Sequence, residues 1–168
     1  MKIMMLSDSV FTVTGYATIT WNLLNRLSEQ GHECFAIGHN YVGQPIKPGV
    51  TFIDNTKLKF TILGGSPKPY AQDLIQPYIQ KYKPDVFIIL LDTFMTYPWL
   101  LSIDFAPAKT IFYFPSDGGG GLPLGCENIL KKVNYPVAMA RYGQRQAKEV
   151  HNIKTGYIPH AIDTSIYY

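Results

Sequence analysis

Two hydrophobic periods alternate along this chain and seldom mix. Lys2 to Leu6, "KIMML", is a short continuous apolar run, the pattern of a strand covered on both faces. "GYATITWNLLNRLSEQGHE" then places Tyr16, Ile19, Leu23 and Leu27 at helical spacing, and Gly31 stops the helix. "ECFAIG" is a second strand. From Asn40 to Pro69 the chain is rich in glycine and proline, with two short strand-like pieces, "VTFID" and "KFTIL", whose pairing the pattern does not decide. "YAQDLIQPYIQKY" reads as a helix that Pro77 should kink. After it come the buried strand "DVFIILL", a short helical stretch near "TYPWLLSI", and the strand "KTIFYF". A loop with four consecutive glycines, Gly118 to Gly121, follows. The series closes with a helix around "CENILKKV", a strand "YPVAMA", a helix "RYGQRQAKEV" and a strand "TGYIP". This order predicts an α/β fold with a mostly parallel twisted sheet between helical layers.

Composition narrows the picture. With 168 residues, 46% of them apolar and 16% charged, the chain holds enough apolar surface for one self-sufficient core and does not read as disordered. The formal charge of +3 is small and its lysines and arginines are scattered, which argues against a nucleic-acid partner. Cys34 and Cys126 lack metal-ligand spacing, no pair of histidines has it either, and reduced thiols in a cytoplasmic protein are the plain reading. Neither "MKIMMLSDS" nor the apolar run Val86 to Leu91 is long enough for a signal peptide or a bilayer span, although peripheral contact with a membrane stays open. Without GxGxxG or GxxxxGK[ST], dinucleotide and P-loop readings lose most of their support, and no cofactor or metal is expected.

Right-handed crossovers bring the carboxyl ends of parallel strands to one edge, where ligands of open sheets sit. Four loops fall there: "SDSVFTVTG", "DTFMTYP", "PSDGGGGLP", and Ala140 with Arg141. Gly15 opens a helix whose free N–H groups favour an anion such as phosphate, or else it serves only a turn. Asp92 and Asp117 follow strands, where carboxylates orient sugar hydroxyls, move protons, or simply cap the next helix. Arg141 is placed to grip a carboxylate or phosphate, or to be a solvated surface arginine. His160 is a lone histidine with the same two-sided reading.

In order, "MKIMMLSDS…TGYATITWNLLNRLSEQGHE", "KPDVFIILLD", "FYFPSDG", "ARYGQRQAKEV" and "YIPHAIDTSIYY" resemble the N-terminal half of retaining glycosyltransferases of the GT-B fold, the group of bacterial glycogen synthases and phosphatidylinositol mannosyltransferases. "IPHAID" looks like the family's passage into its second domain. The resemblance implies a Rossmann-like acceptor-side domain over residues 1–160, with 161–168 beginning a linker to a C-terminal domain that holds most of the nucleoside-diphosphate sugar. No two of Glu29, Glu33, Glu127 and Glu149 have the spacing of the family's donor-site glutamates, so this half alone should not catalyse. By the same resemblance Asp117 is the catalytic candidate, where many relatives have a histidine. Gly15, Tyr16, Asp92, Ser116, Gly118, Arg141 and His160 are the expected substrate-binding residues, and the resemblance implies an acceptor hydroxyl on a sugar, lipid or protein. Ala140 stands where relatives have a capping serine, and Ala161 replaces a hinge glycine. The glycine loop would admit an acceptor and then fold over it. A non-catalytic flavodoxin- or receiver-like module, or a regulatory half that has lost activity, are the competing readings.

Overall fold

The computed structural model describes residues 1–52, 56–118 and 121–161. Seven strands and five α-helices follow in chain order: β1 (Lys2–Asp8), α1 (Gly15–Glu29), β2 (Glu33–His39), β3 (Thr61–Ile62), α2 (Gln72–Tyr82), β4 (Val86–Ile89), α3 (Thr93–Thr96), β5 (Lys109–Phe114), α4 (Glu127–Lys132), β6 (Tyr135–Ala138), α5 (Arg141–His151) and β7 (Gly156–Tyr157). All the strands pair in parallel in the order β3-β2-β1-β4-β5-β6-β7. The chain builds outward from β1 through β2 to β3, returns to place β4 on the other side of β1, and then builds away in the opposite direction. That is the Rossmann-like, doubly wound arrangement, and β1 and β4 flank its switch point.

Strand alternation separates two cores. Met4, Leu6, Phe35, Ile37, Phe87, Ile89, Phe112 and Phe114 face one side, where α2 contributes Ile75 and Ile79 and α4 contributes Ile129 and Leu130. Ile3, Met5, Cys34, Ala36, Ile88 and Leu90 face the other, against Leu24 of α1 and against Leu58 and Phe60. Because both faces are covered, the central strands can be apolar at nearly every position, as their sequences are. The buried stripe of α1 is Ala17, Thr20 and Leu24, and the expected residues Tyr16, Ile19, Leu23 and Leu27 pack beside it, half-buried. Alanine and threonine carry too little hydropathy to mark a helix face, and Thr20 is tolerated because its hydroxyl donates to the Tyr16 carbonyl at 2.8 Å.

Some expected elements differ. Within the piece "VTFID", Thr51 pairs only with Lys57 in an isolated bridge, and residues 53–55 lie outside the described set. "KFTIL" contributes just the two residues of β3. Pro77 does not break its helix, which runs on to Tyr82 with the proline exposed. The chain departs from helical geometry earlier, at Tyr70 and Ala71, both left-handed with φ of 58° and 49°. Among the described residues no helix is long and apolar enough to cross a membrane.

Candidate functional site at the switch point

The rim between β1 and β4 is organised around one hydroxyl. Thr14 ends the β1–α1 loop in extended conformation, and its side chain caps α1 by accepting from the Ala17 N–H at 3.1 Å. The same hydroxyl donates to Asp8 Oδ2 at 2.7 Å, so a carboxylate lies beside the positive end of the helix. The preference for an anion there is thus partly met from within the chain. Capping also fixes the first turn, and with it Tyr16, whose hydroxyl reaches across the switch point to donate to Asp92 Oδ1 at 2.8 Å.

Asp92 precedes α3 in extended conformation, where a capping aspartate would be, yet its side chain makes no cap bond. Its carboxylate is committed to Tyr16. Burial of the Tyr16 hydroxyl, its bond to Asp92 and the negative charges of Asp92, Asp117 and Asp8 push the tyrosine pKa far above its ordinary range. The phenol therefore stays protonated and serves as a donor. Asp117 itself is exposed after β5, close enough for its charge to be felt at Tyr16. Carboxylates at or beyond the ends of three strands thus act on one tyrosine, Asp92 by direct contact and Asp8 and Asp117 through their charge. Among the described residues no group of three or more His, Cys, Asp or Glu is arranged to hold a metal ion.

The other candidates separate from this group. Gly15 leaves open space: a Cβ built on it meets nothing within 4 Å. Ser116 packs against α5, where a Cβ on Gly143 would come within 3.0 Å of the serine Cβ. Gly118 has φ of 120°, a conformation that favours glycine, and its carbonyl accepts from the Tyr142 hydroxyl of α5. Farther on, the Leu122 N–H donates to His151 Nε2 at 3.2 Å. The described ends of the glycine loop are therefore fastened to the two ends of α5, while Gly119 and Gly120 lie outside the described residues. Arg141 stacks over the Tyr157 ring, 4.0 Å from its centroid, and donates to Gln144 Oε1 at 3.0 Å. His160 meets Tyr113 edge to face at 5.4 Å, and the Tyr113 hydroxyl donates to the Ile158 carbonyl at 2.9 Å. Tyr16 and Asp92 are brought into contact, with the Asp117 charge felt at Tyr16; Arg141 and His160 pack instead on Tyr157 and Tyr113.

Two participants escaped the sequence reading. Asp8, flanked by Ser7 and Ser9, is a lone acidic residue beside the first strand, and no local pattern couples it to Thr14 six positions on. His39 ends β2 in register with Asp8, and its Nδ1 accepts from the Tyr70 N–H at 3.2 Å while the two rings lie 4.6 Å apart. Burial pulls the His39 pKa down, and the Asp8 charge opposes the shift. The only available signal for His39 was its place one residue beyond "ECFAIG". No family model and no curated protein sequence matches the chain.

Proposed function

We propose that this chain is the acceptor-side half of a retaining glycosyltransferase of the GT-B type, acting on a nucleoside-diphosphate sugar and a hydroxyl acceptor. The observation that carries the reading is the Tyr16–Asp92 hydrogen bond spanning the switch point, with Asp8 and Asp117 beside it. Carboxylates accept hydrogen bonds from sugar hydroxyls and repel phosphates, so a rim of this kind suits a polyhydroxyl acceptor. The diphosphate would then be held elsewhere, in a second domain. Departure of that diphosphate would be stabilised electrostatically there. Asp117, the most exposed of the three carboxylates, would face the reacting sugar, with Tyr16 and Asp92 positioning the acceptor.

The test is transfer from UDP-, GDP- and ADP-hexoses to a panel of sugar and lipid acceptors by the natural full-length protein, read by mass spectrometry. Asp117→Asn is expected to lower turnover at least tenfold with the fold intact. Transfer unchanged by that substitution removes Asp117 from the mechanism, and absence of any transfer favours the regulatory reading. Tight binding of a nucleotide or flavin by residues 1–168 alone would instead support a non-catalytic binding module.

A further inference from the structure

Beside α1, Phe11, Trp21 and Phe52 line an open groove of about 590 Å³ together with Val10, Thr12 and Thr18. Its apolar wall is unusually uncovered. Phe11 is 48% exposed and the adjacent Val13 is fully exposed. Contiguous apolar surface left in solvent marks an interaction site more often than isolated residues do. The groove continues past Trp21 into a second one of about 660 Å³ bordered by Arg26, Lys57 and Lys59. Glu29 is the acidic residue on that border, and it is paired with Lys59. Among the described residues Arg26 and Lys57 have no ion pair, which leaves the second groove cationic.

An apolar channel opening onto a cationic one fits a molecule with a hydrophobic body and an anionic head. The aromatic geometry distinguishes among such bodies. Phe11 meets Phe52 at 74°, Trp21 meets Phe52 at 63°, and Trp21 meets Phe60 at 71°. Rings set edge to face offer no pair of parallel faces for a planar base, whereas a flexible alkyl chain follows alternating edges and faces. We propose that this surface binds a single-chain amphiphile with an anionic head, its alkyl chain along Phe11, Trp21 and Phe52 and its head over Arg26 and Lys57. This inference does not rest on the sugar-transfer reading.

The probe is dodecyl phosphate, titrated below its critical micelle concentration into the chain. Calorimetry on the unaltered protein and Trp21 fluorescence in a Trp99→Phe variant both report binding, since the chain has two tryptophans. Saturable binding with a blue shift of Trp21 emission is expected. Phe11→Ser should weaken it at least tenfold, as should Thr18→Glu, which projects a carboxylate from the exposed wall of α1 while near-ultraviolet circular dichroism monitors the fold. The pair Arg26→Gln and Lys57→Gln should weaken dodecyl phosphate at least tenfold and leave binding of dodecyl maltoside unchanged. Equal affinity for the two detergents in the unaltered chain, indifference to all of these substitutions, or binding only to phosphatidylglycerol vesicles and not to the monomeric amphiphile would each overturn the proposal.

Discussion

Tyr16 shows how one side chain comes to depend on residues far along the chain. Its partner Asp92 is 76 positions away, so no local pattern couples them. Tyr16→Phe removes the donor and leaves the Asp92 carboxylate to water; a loss of about 1–2 kcal/mol is expected for a half-buried bond to a charged acceptor, measured by urea denaturation. His39 makes a pH-dependent contribution. Its folded pKa is lowered mainly by burial, so the neutral form is favoured in the fold. The associated stability is complete above the unfolded value of about 6.5 and is lost as pH falls through the folded one. His39→Asn, which keeps an acceptor for the Tyr70 N–H, should therefore flatten the decline in stability between pH 7.5 and pH 5. Glycines divide in the same way. Gly15→Ala meets open space and should be neutral or stabilising by up to about 1 kcal/mol. Gly121 has φ of 93°, and a Cβ there would sit 2.9 Å from His151 Nε2, so Gly121→Ala should cost more than about 1 kcal/mol in the same denaturation assay.

Among the elements, α5 carries a deficit that is easily corrected. Ala140 occupies the N-cap position in extended conformation, with φ of −133° and ψ of 151°, but has no side chain to satisfy the first N–H groups. Ala140→Ser should stabilise the protein by about 1 kcal/mol, seen as a higher urea midpoint with an unchanged slope. Elements of this kind were legible wherever a single period ran unbroken. "KTIFYF" coincides with β5, and "RYGQRQAKEV" falls short of α5 by one residue. The sequence reading failed where the deciding contact was distant or the backbone unusual. The helix runs on through Pro77, while the left-handed pair Tyr70 and Ala71, held beside His39, carries no glycine or asparagine to announce it. Asp92 looked like a helix cap because its position is that of one, and only its distant tyrosine partner shows otherwise. The four glycines suggested slack, yet the described ends of their loop are held by Tyr142 and His151.

For the whole molecule, strand order sets where a ligand crevice can form before any side chain is considered. Reversal of direction between β1 and β4 opens the rim, and three strand-end carboxylates converge there because parallel strands all finish on the same side. What ligand, if the proposed reading holds, meets them depends on side-chain chemistry that strand order does not encode. The outermost strands β3 and β7 are two residues each. At the β3 margin Ile62 already exchanges both backbone bonds with Ile46, and at the β7 margin a foreign strand finds a ladder only two residues long, so neither flank offers an extended row of unpaired groups on which the sheet could grow sideways into fibrils.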